Sequence, residues 1–439
     1  MYMKRALQQR VPVVALCFFG LAFEGYDLVA YGTVLPQLLS SEEWNMGPAQ
    51  AGLISTLTVV GMLIGSITSG TLADFTGRRT LTITSCVWFS AWMVVCAAAP
   101  DAQILGGARF MVGLGIGAFV PLVAALAVEF APEGQGNRYS AIAWSGYPIG
   151  GVGAALIGFF ALEPLGARFL FALGSLPLVT LVPLMAICLR ESPSILAAKV
   201  QSDGRPTKAS THGVERPLTE SAPPLKGPKA LFARGTWVRT LIFGLMSACG
   251  LMLTYGLNTW LPQLMRSNGY ELGSALMFLV ALNLGAAIVP PILARRADIS
   301  GPRIVILCVF LSASVSILAL SLALPIVAVY ILIFVAGAGT LGAQLLMSGF
   351  VATDYPATSR VAALSWISCA GRVGALGGPT LIGFLVARGS SVATSFFVFA
   401  AFGLVGAVLA ALLPRRNRKE RAKGRRLDLS RAESLDSPT

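Results

Sequence analysis

Two stretches of sequence decide the fold: YGTVLPQLL at residues 31–39 and YGLNTWLPQLM at residues 255–265. Each begins with Tyr-Gly and continues, a few residues later, into Leu-Pro-Gln-Leu. Two further stretches follow in the same order, DFTGRR at residues 74–79 and DISGPR at residues 298–303, and both fit the pattern D-x-x-G-x-R. The members of each pair are 224 to 226 residues apart.

A third pair of stretches extends the match. EFAP at residues 129–132 is followed by Arg138, and DYP at residues 354–356 is followed by Arg360, with a tryptophan six residues after each arginine. One such match by chance means little, but several in the same order at nearly one separation do not arise by chance. The sequence therefore indicates an internal duplication.

The composition is that of a chain surrounded by hydrocarbon. Of its 439 residues, 55% are hydrophobic and only 12% are charged, and the mean hydropathy is +0.74. A soluble chain carries about a quarter of its residues charged. A membrane-spanning helix needs about 20 apolar residues and satisfies its backbone hydrogen bonds internally. The apolar runs have room for about a dozen such helices.

Together these features predict an all-α membrane protein with twelve transmembrane helices. An even number of helices per repeat places two parallel six-helix repeats around a central cavity. The predicted organisation is an N-terminal tail at 1–10, a bundle at 11–189, a linker at 190–235, a second bundle at 236–413 and a basic tail at 414–439. The polar linker reads as flexible, with a short surface helix near 228–234. A duplicated scaffold that does not transport, such as a receptor, is the alternative.

The positive charge is concentrated on one predicted side. The net charge is +13, and 28 of the 33 Lys and Arg residues fall in the tails, the linker and the loops of that side. The opposite side has only Arg168, Arg266 and Arg388. By the positive-inside rule, the basic side and both termini are cytoplasmic. We expect this charge to meet anionic membrane lipids rather than nucleic acid.

The sequence offers little material for catalysis or metal binding. Its seven cysteines stand singly inside apolar runs, and its one histidine, His212, lies in the polar centre. Neither a metal-ligand spacing nor a nucleophile–base pattern is present. We therefore predict no catalytic residues, no cofactor and no metal, and we expect a monomer.

Two motifs resemble the major facilitator superfamily. GTLADFTGRR at residues 70–79 is similar to that superfamily's G-x-L-A-D-R-x-G-R-R, with Phe75 in place of the first arginine. RFMVGLGIG at residues 109–117 resembles its R-x-x-x-G-x-G. The resemblance extends over essentially the whole chain and implies the twelve-helix fold predicted above.

Within that superfamily, three further motifs resemble the aromatic acid:proton symporters. EGYD at residues 24–27 is similar to D-G-x-D, and WLPQLM at residues 260–265 to W-L-P-x-L-M. GRVG at residues 371–374, followed by GP at 378–379, resembles G-R-x-G with a later G-P. The resemblance implies proton-coupled import of a benzoate or hydroxybenzoate type of acid across a bacterial inner membrane.

Arg372, near the middle of the eleventh predicted helix, is the candidate for binding the substrate carboxylate. A charge inside a membrane span is costly and usually functional, and a guanidinium binds a carboxylate through two parallel hydrogen bonds. The alternative is a structural ion pair with a carboxylate of the first helix. The further substrate-binding candidates are Asp27, Tyr31, Tyr255, Asn258, Trp260 and Gln344. For the aromatic and amide side chains, ordinary packing between helices is the alternative.

Asp27 is the first candidate for carrying the proton, and Glu24 is the second. They are three residues apart and therefore share a face of the first helix. Two carboxylates this close in a partly dehydrated setting favour the protonated form of at least one of them. Alternatively, Glu24 only makes a contact between helices. Arg109 either holds one of these carboxylates in place or anchors one end of the fourth helix.

The resemblance also implies a gate of opposite charges at the cytoplasmic side, which holds the halves together while the cavity faces outward. Its candidate residues are Asp74, Arg78, Arg79, Glu129, Arg138, Asp298, Arg303, Asp354 and Arg360. The alternative is that these charges only solvate the loops and set the topology.

Three other functions compete with import of an aromatic acid. A symporter for an aliphatic or heteroaromatic acid would use Arg372 equally well. An exporter of drugs or metabolites would need a larger and more apolar cavity. A sensor would bind its ligand without transporting it.

Overall fold

The computed structural model describes residues 2–132, 135–189, 231, 236–322, 324–355 and 357–413. The side chains of residues 2–12, 74, 137, 298–300, 352–353, 357–358 and 360–361 lie outside this description. The predicted linker, apart from Leu231, and the predicted basic tail at 414–439 also lie outside it.

The described residues form helices and no strands. The first half contains α1 (Tyr2–Ser40), α2 (Pro48–Thr76), α3 (Arg78–Ala98), α4 (Ala102–Glu129), α5 (Gly136–Leu173) and α6 (Leu181–Cys188). The second half contains α7 (Trp237–Ser267), α8 (Leu272–Ser300), α9 (Pro302–Ala319), α10 (Ile326–Asp354), α11 (Ala357–Ala387) and α12 (Val392–Leu412). Of these helices, eleven are long and apolar enough to cross a membrane. The predicted all-α membrane fold with two six-helix repeats is confirmed.

The sixth crossing is broken rather than continuous. Helix α5 contains the fifth crossing and, after a kink at Gly166 with φ of 75°, the first part of the sixth. A 3-10 turn at Leu176–Leu178 and the short helix α6 complete it. Pro177 lies in that turn, and it cannot donate the backbone hydrogen bond that a continuous α-helix requires.

The first helix is longer than the sequence predicts. Residues 1–10 are predicted as a tail, but α1 already begins at Tyr2. The apolar span within it begins at Val13. The helix therefore extends beyond the length that hydrocarbon requires.

The two halves pack their helices in the same way. In the first half α1 packs on α5 and α2 on α4, and in the second half α7 packs on α11 and α8 on α10. Glycine permits these close approaches. A Cβ at Gly150 would lie 1.7 Å from the carbonyl oxygen of Ala22, and a Cβ at Gly374 would lie 1.8 Å from that of Ala248. Small residues of this kind let helix backbones touch within a membrane.

One end of the molecule carries the clustered charges. We name it the basic end, and it holds Arg78, Arg79 and Arg303 at the starts of α3 and α9. The opposite end, with the loop 41–47 between α1 and α2, is named the distal end. At the basic end Arg79 donates to the carbonyl oxygens of Leu189 and Ala186, at 2.5 and 2.6 Å.

The second half repeats this contact. The repeat-equivalent Arg303 donates to the carbonyl oxygens of Ala410, at 3.2 Å, and Ala411. In each half an arginine at the start of the third helix thus holds the C-terminal end of the sixth. The duplication seen in the sequence is therefore also a duplication of contacts.

The halves are joined in the part of the molecule nearest the distal end. Thr56 of α2 hydrogen-bonds to Thr380 of α11, and Ser55 lies 3.2 Å from the hydroxyl of Thr259 on α7. Helices α1 and α7 also meet, since a Cβ on Gly32 would lie 1.9 Å from the carbonyl oxygen of Asn258. The distal end is therefore closed in this conformation.

Candidate functional site

A small polar cavity lies between the halves, in the middle of the membrane-spanning region. Its lining includes Glu24 and Asp27 of α1, Ser55 and Thr58 of α2, Arg109 of α4, Tyr147 of α5 and Tyr255 of α7. Its free volume is about 10 Å³, which is room for roughly one water molecule. The cavity is therefore contracted in this conformation.

Asp27 is paired with Arg109 inside the first half. The Arg109 guanidinium forms an ion pair with the Asp27 carboxylate, and the two side chains are 2% and 7% exposed. The same guanidinium lies over the ring of Tyr31, at 5.3 Å from its centre. Tyr31 in turn donates its hydroxyl to the carbonyl oxygen of Ala51, at 2.8 Å. Of the two alternatives for Arg109, the structure places it on an acid of the first helix, and that acid is Asp27.

Glu24 lies one turn before Asp27 on α1 and has a different environment. It is buried, and its Oε2 has no hydrogen-bond partner among the described residues. The Arg372 guanidinium is close enough for its charge to act on Glu24. No ion pair within 4 Å joins these two described side chains. Glu24 is thus a buried carboxylate that no fixed cation neutralises.

Two tyrosines bring the halves together beside Glu24. Tyr147 of α5 and Tyr255 of α7 both line the cavity, and their hydroxyls interact with each other. Tyr255 also donates to the sulfur of Met62, at 3.8 Å. Tyr147 lies near Glu24 because the backbones of α1 and α5 touch at Gly25. A Cβ on Gly25 would lie only 1.8 Å from the Tyr147 carbonyl oxygen.

Arg372 lies on α11 in the second half. Its side chain is half-buried, and its charge acts on both Glu24 and Tyr255. It is not among the residues that line the contracted cavity. The structure therefore brings the predicted carboxylate-binding residue near the predicted acids without fixing it to either of them.

Three other predicted substrate residues lie in networks of the second half. Asn258 donates to the carbonyl oxygen of Thr254 and accepts from Asn283, at 2.8 and 2.9 Å. Trp260 is fully buried and donates to the carbonyl oxygen of Pro379, at 2.9 Å. Gln344 donates to the backbone oxygen of Ser247, at 2.9 Å. In this conformation these side chains hold helices together and do not line the cavity.

The predicted gate residues lie at the basic end. The two ion pairs that their described side chains form each stay within one half. Arg78 pairs with Glu129 in the first half, and Asp354 pairs with Arg239 of α7, at 3.2 Å, in the second. Arg138 lies exposed at the start of α5. The side chains of Asp74, Asp298 and Arg360 lie outside the described residues.

The comparisons with known proteins agree with this architecture. The sequence profile of the Major Facilitator Superfamily matches residues 17–289 and 273–435, which together are most of the chain. The chain belongs to the major facilitator superfamily. It is therefore a multi-pass membrane protein of a transporter superfamily, as its motifs predict.

Curated relatives of this major facilitator protein cover nearly its whole length. A gentisate transporter of Corynebacterium glutamicum is 36% identical over 411 residues, which are 93% of this chain and 88% of that protein. A benzoate transport protein of Acinetobacter baylyi is 31% identical and covers 85% of this chain and 83% of its own. A 4-hydroxybenzoate transporter of Pseudomonas putida is 29% identical and covers 91% and 92%. The predicted resemblance to transporters of aromatic acids is confirmed.

Solved structures share the fold of this major facilitator protein at low identity. A D-xylose-proton symporter matches with a TM-score of 0.73 and 15% identity, over 93% of this chain and 99% of that one. An inward-facing bacterial homolog of the human lysosomal transporter Spinster matches with a TM-score of 0.69 and 16% identity, over 92% and 96%. These two similarities support the fold alone.

Sequence reasoning missed part of this transporter's cavity wall. Ser55, Thr58 and Met62 of α2 line it. The signal was present in α2, because residues spaced by three, four and seven share one helix face. Small hydroxyl residues on that face of an apolar helix indicate contact with a polar interior.

Proposed function

We propose that the protein imports a small aromatic carboxylate of the benzoate or hydroxybenzoate type, coupled to protons, across a bacterial inner membrane. The observation that carries the proposal is the buried, unpaired Glu24 carboxylate beside the Arg372 charge and two tyrosines. A benzoate, a gentisate and a 4-hydroxybenzoate transporter among the relatives support this substrate class.

Arg372 is proposed to bind the substrate carboxylate. A planar guanidinium offers two parallel hydrogen bonds to a carboxylate, whereas an ammonium is a point charge without that geometry. Tyr147 and Tyr255 supply ring faces and hydroxyls for an aromatic ring and its substituents. Because the cavity has room for only about one water molecule in this conformation, it must widen before it takes the acid.

Glu24 is the better candidate for the proton, although the sequence ranks Asp27 first. The buried guanidinium of Arg109 already forms an ion pair with Asp27. Glu24 is buried without a fixed cation, so protonation removes an uncompensated charge from a dehydrated site. Asp27 is then a positioning residue that keeps α1 and α4 together.

The proposed cycle alternates access between the two ends. The basic end is proposed to be cytoplasmic because the positive-inside rule assigns clustered Lys and Arg to that side. The distal end, closed by the contacts of Thr56, Ser55 and Gly32, then faces the outside. Charged groups such as Arg78 and Asp354 are proposed to close the basic end when the distal end opens. An anion that travels with one proton crosses without net charge.

The experiment is uptake of labelled gentisate and 4-hydroxybenzoate into proteoliposomes, with and without an inward proton gradient. We expect the wild type to accumulate acid only with the gradient. Glu24→Gln should still exchange labelled for unlabelled acid across the membrane but lose accumulation. Continued accumulation by Glu24→Gln would assign the proton elsewhere.

The same assay separates the competing functions. Competition by benzoate analogues but not by aliphatic acids supports the aromatic substrate, and the reverse result supports another organic acid. Movement out of the vesicles against the gradient, with preference for uncharged drugs, would support an exporter. The proposed partners are the acid, protons and membrane lipids, and the carrier is expected to act as a monomer.

A further inference from the structure

A second and larger cleft opens at the distal end between α1 and α7. It is lined by Pro36, Leu39 and Ser40 of α1 and by Gln263, Arg266 and Ser267 of α7. Its free volume is about 270 Å³, against about 10 Å³ for the central cavity. Of these two spaces, only the distal cleft has room for a small organic acid in this conformation.

The cleft lies between the halves of the molecule. Its walls come from the ends of the two duplicated stretches and from the residues directly after them, one wall from each half. The same two helices carry Glu24 and Tyr255 deeper in the membrane. The cleft is therefore placed where a solute approaching from the distal end would enter between the halves.

The duplication is broken at one position of the cleft. Arg266 occupies the place that corresponds to Ser40, so a single guanidinium stands in an otherwise uncharged site. Its Nη1 donates to the carbonyl oxygen of Pro36, at 3.2 Å. A guanidinium has five N–H donors, and it forms no ion pair with any described acid, so donors remain for an anion.

The other two arginines at the distal end are already engaged. Arg168 pairs with Glu43, at 2.5 Å, and also donates to the carbonyl oxygen of Ala99. Arg388 lies over the ring of Phe384, at 4.2 Å from its centre. Of the three, Arg266 is the one that lines the distal cleft.

We propose that the distal cleft is an entrance site for a small aryl carboxylate, with the carboxylate on Arg266 and the ring against Pro36 and Leu39. The ligand class rests on the proposed function, since the acid bound there is the one to be transported. Ser40 donates its hydroxyl to the carbonyl oxygen of Gln37, at 3.2 Å, and the hydroxyl of Ser267 accepts from Gln263, at 3.4 Å. Ser40 can still accept a hydrogen bond and Ser267 can still donate one, so both can pair with polar ring substituents. Binding at this site precedes opening of the distal end.

The site also connects binding with opening. The hydrogen bond from Arg266 to Pro36 joins α7 to α1 and thus one half to the other. A carboxylate accepts charge-assisted hydrogen bonds more strongly than a neutral carbonyl does. An acid in the cleft therefore competes for the guanidinium and weakens one contact that closes the distal end.

The test compares Arg266→Gln with Arg388→Gln, a matched loss of one exposed arginine at the same end but away from the cleft. Initial rates of 4-hydroxybenzoate transport are measured in right-side-out and inside-out membrane vesicles. For Arg266→Gln we expect the KM to rise about ten- to a hundredfold when the acid approaches from the distal end, the loss typical of one charge-assisted hydrogen bond. The KM from the basic end should stay unchanged, and Arg388→Gln should match the wild type from both ends.

Three results would overturn the entrance site while leaving the proposed function intact. They are an unchanged KM in Arg266→Gln, an equal rise in Arg388→Gln, and a change in maximal rate alone. An equal rise in Arg388→Gln would show a general effect of surface charge. A change in maximal rate alone would show that the contact of Arg266 with Pro36 helps to close the distal end but that Arg266 does not bind the acid. Absence of 4-hydroxybenzoate transport in the wild type, with an aliphatic acid carried instead, would overturn both the substrate class and the ligand assigned to the cleft.

Discussion

The two halves share their scaffold but differ in what they bury. Glu24 and Asp27 of the first half correspond, at the repeat separation of 224 residues, to Ala248 and Leu251 of the second. Arg109 corresponds to Ile333 at the same separation. The charged residues buried in the middle of the membrane-spanning region, Glu24, Asp27 and Arg109, all lie in the first half.

The second half has a neutral polar interior in the same layer. Its buried amides, Asn258 and Asn283, hydrogen-bond to each other, and Arg372 is its half-buried cation. At the basic end, by contrast, the halves match, since Arg79 and Arg303 make the same type of contact. The difference suggests a division of labour in which the first half carries the proton and the second half recognises the acid.

The largest effect on stability should come from replacing the buried charged residues of the first half by the residues at the corresponding positions of the second half. Arg109→Ile leaves Asp27 buried without its cation, and breaking a buried pair in this way costs about 3–5 kcal/mol of folding free energy. The double variant Arg109→Ile with Asp27→Leu removes both charges, so it should recover most of that loss. Thermal unfolding of the purified protein in detergent would measure both changes.

The double variant is also informative about function. If Asp27 only positions α1 against α4, the stable double variant should still bind the acid and exchange it across the membrane. A double variant that is as unstable as Arg109→Ile would show that the pair has further partners. Loss of proton-driven accumulation with exchange retained would move the proton from Glu24 to Asp27.

A smaller effect is expected from Arg372→Lys in the second half. Lysine keeps the charge but cannot form two parallel hydrogen bonds with a carboxylate. We expect the apparent affinity for 4-hydroxybenzoate to fall about ten- to a hundredfold, which corresponds to about 1.4–2.8 kcal/mol. Accumulation at saturating acid should remain proton-driven. Competition of unlabelled acid for labelled uptake would measure the affinity.

The alternative role of Arg372 gives a different pattern. If the guanidinium serves only to balance the charge of Glu24, Arg372→Lys should behave like the wild type and only Arg372→Gln should fail. The pair of variants therefore separates recognition of a carboxylate by shape from compensation of charge. It tests directly whether the second half carries the recognition.

The sequence predicted the fold because its signals are long and repeated. Twenty-residue apolar runs and an ordered set of duplicated motifs identify helices and halves without any tertiary information. The break in the sixth crossing depends on one short turn at Pro177. The apolar run continues through that turn, so hydropathy alone does not predict the break. The early start of α1 could not be predicted either, since residues 1–10 are basic rather than apolar.

The site was predicted only in part because pairing depends on packing. The spacing of Glu24 and Asp27 placed both on one face, but only the approach of α4 decides that Arg109 meets Asp27. Trp260 was a candidate for binding the substrate ring because it is aromatic, but its indole N–H donates to the carbonyl oxygen of Pro379. Tyr147 takes its place through backbone contact at Gly25, a feature no local pattern encodes.

The smallest effect on stability is expected at the basic end, where the two halves make the same type of contact. Arg79→Ala and Arg303→Ala each remove hydrogen bonds to the last carbonyls of a sixth helix, at corresponding positions of the two halves. Because both sites are partly open to solvent, each change should cost only about 0.5–1.5 kcal/mol. Arg138→Ala, which removes an exposed arginine at the same end, is the control and should cost less. Thermal unfolding in detergent would compare the three.

Equal losses for Arg79→Ala and Arg303→Ala would show that the duplicated ends remain equivalent scaffolding and that the divergence is confined to the interior. A transport defect in Arg79→Ala much larger than its loss of stability, with none in Arg303→Ala, would mean otherwise. The functional asymmetry would then extend from the Asp27–Arg109 pair to the basic end. In that case Arg79 would act in the proposed gate at the basic end beside Arg78, because a purely structural contact has no reason to affect transport in one half alone.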